Sequence, residues 1–242
     1  MPIVSGKTPN GLVLHAQKAL KEKWWYVWGT FGNVLTQSLL NSKATQYPAY
    51  NGGAYKAVHQ RHIGETVSDC VGLIKGYCMW NDATDKPVYR SDLDYNTGMM
   101  YNAATKKGTI KTIPEVPGVC VYMQGHVGVY IGNGWVIECA GGKGAIKTPL
   151  FGSGATSWTH WFECPFIKYS NTSSGGQVVN KEISVGDKVT VRDGAKTYTG
   201  GSLVSWVYDT TYDVLEINKD RVVIGIGRTV TAAVNKKDLM KA

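Results

Sequence analysis

No stretch of this sequence approaches the ~18 consecutive apolar residues of a membrane-spanning helix, which excludes an integral membrane protein built on such spans. The start, Met1-Pro2-Ile3-Val4-Ser5-Gly6-Lys7, lacks the basic and apolar regions of a signal peptide, so standard secretory export is not expected. Neither CxxC nor HxxxH spacing occurs, and the five cysteines (Cys70, Cys78, Cys120, Cys139, Cys164) are odd in number. A zinc site and a disulfide framework are therefore both unsupported, and no metal or other cofactor is expected. Reduced thiols in a cytosol-made protein fit best, most of them inert core residues. No internal repeat stands out.

What is present is a chain of 242 residues, 43% hydrophobic and 18% charged, able to bury a core and too apolar for disorder. Its net charge is +8, from 26 Lys and Arg against 18 Asp and Glu. Residues 1–180 carry 16 basic and 10 acidic side chains, so most of the excess lies there. An anionic partner, such as an acidic lipid face or a cell-wall polyanion, suits that balance, although solvated surface charge accounts for it equally well. The basic residues are scattered and accompany no nucleic-acid motif, so nucleic acid is not expected as a partner.

Residues 12–23 read as a helix, with Leu12, Val13, Ala16, Ala19 and Leu20 on one face and Thr8-Pro9 as its start. A second helix begins at Ser68 or Asp69 and carries Cys70, Leu73, Ile74, Tyr77 and Cys78; a third covers roughly 93–105, stopped by Gly108. From Gly118 the period changes to two, over Val119–Met123, His126–Ile131, Trp135–Ala140 and Thr159–Phe166. The polar run Asn171-Thr172-Ser173-Ser174-Gly175-Gly176-Gln177 marks a linker. After Ile183, the runs Asp187–Val191, Leu203–Tyr208, Val214–Ile217 and Val222–Ile226 suit a small β-barrel. Two domains are expected, 1–168 and 182–242, joined by a linker over 169–181.

Cys70 follows Asp69 at the expected start of a helix, where free backbone N–H groups and the helix dipole favour a thiolate. A nucleophilic thiol also needs a histidine, and a third group to hold that histidine. Five histidines are available. His15 sits on the first helix, His59 and His62 in a polar loop-like stretch, and His160 between Trp158 and Trp161. His126 opens a strand. Glu138 lies on the next strand, and a three-residue loop Gly132-Asn133-Gly134 would set Gly128 opposite Glu138. His126 and Glu138 would then be diagonal neighbours on one face, roughly 7–8 Å apart at Cα. A two-residue Asn133-Gly134 turn would put them on opposite faces. Taken singly, Cys70 reads as a buried thiol, His126 as a strand-end histidine and Glu138 as an exposed strand carboxylate.

Four segments in one order carry a family likeness: Tyr26-Val27-Trp28-Gly29, Asp69-Cys70-Val71-Gly72-Leu73, Gly125-His126-Val127-Gly128-Val129-Tyr130-Ile131-Gly132 and Val136-Ile137-Glu138. Over roughly residues 10–167 the chain resembles the NlpC-type cell-wall cysteine peptidases, papain-like enzymes related to the CHAP amidases. The resemblance implies an α+β fold, with helices packed on an antiparallel sheet. It implies Cys70 as nucleophile, His126 as base, Glu138 in the orienting position where the family often has His, Asn or Gln, and Tyr26 beside the nucleophile and oxyanion site. Three features depart from the family: Val71 where Ser is common, and the long intervals of 44 positions from Tyr26 to Cys70 and 56 from Cys70 to His126. Insertions around 31–65 and 80–117 are expected to reshape the substrate groove.

From Ile183 on, Val185-Gly186-Asp187-Lys188-Val189 and Tyr198-Thr199-Gly200-Gly201 resemble parts of bacterial SH3-like wall-binding barrels. Trp206 is expected in the core of that barrel. Together the two resemblances imply a peptidoglycan hydrolase similar to a phage endolysin, made in an infected bacterium's cytoplasm and acting on the wall after release. The bond implied first is γ-D-glutamyl–diamino acid, with the N-acetylmuramoyl-L-alanine amide as alternative. A non-catalytic wall-binding protein is the reading of another class. Alkylation separates them, since a live thiolate should react with iodoacetamide well below pH 8.

Overall fold

Thr8 opens the first helix, its hydroxyl accepting from Gly11 N–H at 3.0 Å, with Pro9 in the first turn where its missing N–H costs nothing. The computed structural model describes residues 3–169, 183–192, 195–208, 210–227 and 229–241. They fall into two units, Met1–Asn171 and Thr172–Ala242.

In chain order the first unit runs α1 (Pro9–Lys21), β1 (Trp25–Tyr26), β2 (Phe31–Val34), α2 (Gln37–Gln46), α3 (Pro48–Asn51), α4 (Gly53–His59), β3 (Thr66–Ser68) and α5 (Cys70–Cys78). It continues with β4 (Trp80–Asn81), β5 (Lys86–Pro87), α6 (Thr97–Ala103), β6 (Lys107–Thr109), β7 (Cys120–Met123), β8 (His126–Gly132), β9 (Trp135–Ala140), β10 (Gly144–Pro149) and β11 (His160–Phe162). Strands β6 to β11 form one antiparallel sheet in the order β10-β9-β8-β7-β11-β6. A three-stranded sheet, β1-β3-β2, lies beside α5 in the chain. The unit is mixed α+β.

Alternation along β8 and β9 sorts side chains to two faces. Val127, Val129, Ile137 and Cys139 join Leu73, Ile74 and Tyr77 of α5 and Leu12, Ala16 and Ala19 of α1 in the main core. Tyr130, Val136 and Trp158 fill a second cluster with Val119 and Val121. Helix α5 approaches the β2 segment closely because it lacks side chains there. A Cβ on Gly72 would stand 2.0 Å from the Thr30 carbonyl oxygen, and one on Gly76 would stand 2.4 Å from that of Phe31. That approach fixes where the helix tip, and Cys70 on it, points.

The second unit contains β12 (Lys188–Val191), β13 (Thr211–Asn218), β14 (Arg221–Ile226), β15 (Thr229–Asn235) and β16 (Leu239–Lys241), an antiparallel sheet ordered β15-β14-β13-β12-β16. Its core includes Val189, Val191, Tyr212, Val214, Val222, Ile224, Val234 and Leu239.

Several expectations are corrected. The third helix is only Thr97–Ala103, ended by extended backbone at Ala104 well before Gly108. Leu203–Tyr208 is not a strand; Ser205–Val207 is a 3-10 turn, which puts Trp206 outside the core with 53% of its surface exposed. His59 and His62 end α4 and the following 3-10 turn, so that stretch is helical rather than loop. Of the expected linker 169–181, residues 170–181 lie outside the described residues. Among the described residues no helix is long and apolar enough to cross a membrane.

Candidate active site

Asp69 shapes the tip of α5. Its carboxylate accepts from Gly72 N–H at 2.6 Å, an N-cap, and from Gly29 N–H at 2.7 Å, which ties the loop after Tyr26 to the same tip. Cys70 is the first helical residue, and its Sγ lies 4.0 Å from the Gly125 carbonyl oxygen and within reach of the Val127 N–H. Those two groups precede and follow His126 in the chain, so the thiol sits against the backbone at the start of β8.

His126 Nε2 is 2.6 Å from Glu138 Oε2. With Nε2 so engaged, Nδ1 is the nitrogen left for the thiol. Glu138 is 1% exposed, and its other oxygen accepts from Thr148 Oγ1 at 2.8 Å and Thr156 Oγ1 at 2.6 Å. Burial pushes this carboxyl up, but the bonds from His126, Thr156 and Thr148 together outweigh it and hold Glu138 below the ordinary carboxylate value. Trp158 stacks on the His126 ring, centroids 5.4 Å apart and planes 10° from parallel. The room for that indole comes from Gly128, where a Cβ would meet it at 3.2 Å. The imidazole is thus fixed at one nitrogen and one face.

Tyr26, on β1, brings its phenol within hydrogen-bond reach of the Cys70 thiol. Burial, with Cys70 and Asp69 nearby, pushes that phenol far up, so it remains a neutral donor. The helix tip does not lower the thiol as the sequence suggested. Burial first, and the Asp69 charge second, push Cys70 up to about 12, against the backbone N–H groups of Val127, Val71 and Cys70 itself. The dipole contribution at a helix end is at most ~2 kcal/mol, too small to reverse desolvation of a thiolate that is 3% exposed.

The structure pairs His126 with Glu138 and Tyr26 with Cys70, and it sets the Cys70 thiol against the backbone on either side of His126. The other histidines are engaged elsewhere. His15 is packed among Trp24, Tyr77 and Trp80, where burial holds it down to about 3. His59 accepts from the Trp25 indole, His62 stacks on that indole, and His160 lies against Tyr101. Sequence reasoning missed Thr148, Thr156 and Trp158. Thr148 had a faint signal, since Ile146 stands opposite Glu138 and Thr148 follows it on the same face of β10. Thr156 and Trp158 come from irregular chain after β10 and had none.

A cleft of about 420 Å³ lined in part by Lys18, Trp24, Trp80 and Asp85 contains none of these four residues. Among the described residues, no three His, Cys, Asp or Glu side chains are grouped to hold a metal ion.

Fold and site together define an α+β domain with a cysteine at a helix tip and a hydrogen-bonded His-Glu pair on the adjoining sheet. No family model matches the chain, and no curated protein matches it. Among solved structures it is similar to the P60 domain of an antigen from M. avium subspecies paratuberculosis, with 19% identity and a TM-score of 0.35 over 66% of this chain and 98% of that one. It is similar also to the peptidoglycan hydrolase RipB of Mycobacterium tuberculosis, at 18% identity and a TM-score of 0.35 over 66% and 67% of the two chains. RipD of the same organism, a non-catalytic NlpC/p60 domain protein adapted to peptidoglycan binding, gives 15% identity and a TM-score of 0.36 over 63% and 95%. Identities and scores this low leave the function to be read from the residues of this chain.

Proposed function

We propose that the chain is a peptidoglycan hydrolase that cuts an amide bond of the wall peptide through a covalent thioester on Cys70. The observation that carries the reading is the His126 ring, held on a buried Glu138 at 2.6 Å while the thiol lies against its flanking backbone. His126 Nδ1 takes the Cys70 proton as sulfur attacks the carbonyl carbon, and the tetrahedral oxyanion forms near the Tyr26 hydroxyl and the helix-tip N–H groups. On collapse the C–N bond breaks and His126 protonates the leaving amine. Water, deprotonated by His126, then attacks the thioester, freeing the acid and restoring the thiol. Glu138 remains ionised and stabilises the imidazolium.

The wall peptide as substrate is supported by the order of the four motif segments. Within this reading the γ-D-glutamyl–diamino acid bond is proposed first, the N-acetylmuramoyl-L-alanine amide second. The second unit is proposed as an SH3-like wall-binding module, and the setting as a phage endolysin released onto the wall from an infected cell. Cys70→Ala should abolish release of fragments from purified walls, while mass spectrometry of wild-type products names the bond. Undiminished release by Cys70→Ala ends the proposal.

The buried, protonated thiol favours one other reading, a wall-binding protein without turnover. Wild-type protein that sediments with walls yet releases nothing would establish it.

A further inference from the structure

Between Glu22 and Glu65 the chain carries Lys23, Lys43, Lys56 and Arg61 and no carboxylate side chain at all. Most of that span is the helical arm α2–α4, and a buried amide fastens the arm to the active-site loop. Asn51, with no exposed surface, accepts from Trp28 N–H at 3.1 Å and donates to the carbonyls of Trp28 at 2.9 Å and Lys43 at 3.3 Å. Lys43 is thereby placed over the loop whose Gly29 N–H is bound by Asp69, the cap of the nucleophile's helix. Its ammonium would stand 3.4 Å from a Cβ on Gly29.

The partners of that ammonium are weak. Gln46 Oε1 accepts from it at 3.0 Å and the Tyr47 ring lies 5.6 Å away, and among the described residues it has no ion-pair partner within salt-bridge distance. The carboxylates whose charge it senses, Asp69 and Asp94, are committed elsewhere: Asp69 to Gly72 and Gly29, Asp94 to Lys75 and Tyr89. A half-buried cation lacking an anion, pinned one residue from the nucleophile's cap, is arranged to take its anion from outside.

We propose that Lys43 is a specificity-determining residue that binds a carboxylate of the substrate peptide on a residue neighbouring the scissile amide. The proposal rests on the reading of the chain as a wall-peptide hydrolase and adds which wall peptides it prefers: those with a free carboxylate there rather than a carboxamide. A charge-assisted bond of this kind is worth about 10- to 100-fold in affinity.

The test uses the full-length Cys70→Ala protein, which binds without cutting, titrated calorimetrically with a synthetic stem peptide and its carboxamide counterpart. The free acid should bind at least about tenfold tighter. That preference should vanish in a second variant that adds Lys43→Met, persist with Lys43→Arg, and persist with Lys56→Met on the arm's α4. In the catalytically intact protein, Lys43→Met should raise KM for the acid and leave kcat and the carboxamide kinetics nearly unchanged. Equal affinity for acid and carboxamide overturns the inference, as does a preference that survives Lys43→Met. So does saturable binding of inorganic phosphate that depends on Lys43 while acid and carboxamide bind alike, which would assign the site to a wall phosphodiester. Wild-type protein that cuts neither peptide nor walls sinks the hydrolase reading instead, and the binding ratio still decides the role of Lys43.

Discussion

His126 and Glu138 meet at 2.6 Å because one extra residue, Ile131, is spliced into their hairpin as a β-bulge. The turn itself is the tight one, Asn133-Gly134, both residues with positive φ (53° and 75°), and it pairs Gly132 with Trp135. Continued without interruption, that register would send His126 and Glu138 to opposite faces of the sheet. Past the bulge the pairs are Tyr130 with Val136 and Val129 with Ile137, which sets Gly128 opposite Glu138 and returns the two side chains to one face. Turn and bulge together do the work of a three-residue loop.

Glu138→Gln tests whether the orienting group must be an anion. The amide keeps the shape and can still accept from His126, but it loses the charge that steadies the imidazolium. Its NH2 also replaces an oxygen that now accepts from both Thr148 and Thr156. Turnover should fall about 100-fold or more with little change in KM, measured on soluble wall fragments. A variant with near-normal kcat would reduce Glu138 to a packing residue.

Thr156→Val removes one of the three donors that hold a buried carboxylate ionised. Because Glu138 sits below its ordinary value of 4.5 in the folded chain, its charge contributes stability above that pH. The contribution is lost as pH falls through the folded-state value. Losing a donor raises that value, so the acid limb of activity and the acid unfolding transition should both move to higher pH. At neutral pH the cost should be about 1–3 kcal/mol by denaturant titration. Unshifted acid limbs in both Thr156→Val and Thr148→Val would show that the hydroxyls merely fill space.

Much of this architecture was legible because local chemistry and tertiary contact agree. Thr8-Pro9 and Asp69 announce helix starts by capping, and the alternation through His126–Gly132 and Trp135–Ala140 names the sheet. The sequence allows two registers at the site, since a bulge has no composition signal of its own and both turn lengths fit Gly132-Asn133-Gly134. The arm over 37–59 was opaque because its helices are short and mostly exposed, with Leu40, Asn51 and His59 its buried residues. Trp206 lies outside the expected core because aromatic character says nothing about direction in a 3-10 turn. The thiol's electrostatics also ran opposite to the helix-dipole expectation. Depth of burial belongs to the whole fold, whereas the cap belongs to three residues.

Cys70 alkylation follows from that burial. A thiol pushed up to about 12 is protonated at rest, so its proton must leave during attack, through His126, rather than beforehand. The iodoacetamide rate of the free protein should therefore be slow below pH 8 and climb steadily above it, with no plateau near neutrality, so slow alkylation does not separate the hydrolase from a non-catalytic wall binder as the sequence suggested. By the same sign, the neutral thiol contributes stability below the ordinary thiol range, and this is lost as pH rises through the folded-state value. A flat, rapid rate from pH 6 upward that disappears in His126→Ala would show a preformed thiolate–imidazolium pair instead.

Gly128→Ala probes how the imidazole is held, and it does so without touching an ionisable group. Backbone strain is not at issue there, because Gly128 is an ordinary strand residue between His126 and Tyr130. Space is at issue: the added methyl would stand 2.8 Å from Val136 Cγ1 and 3.2 Å from two atoms of the Trp158 ring. Val136 is anchored in the sheet, whereas Trp158 comes from irregular chain and its indole N–H, buried without a partner, gives it no fixed tether. The indole is therefore the group that moves, and it uncovers the face of His126 that it now stacks on. Overpacking of this size costs about 1–3 kcal/mol, readable as a lowered Tm. If the stack orients His126, kcat should fall more than stability alone explains. A lowered Tm with kcat intact would assign the orientation of the imidazole to Glu138 alone.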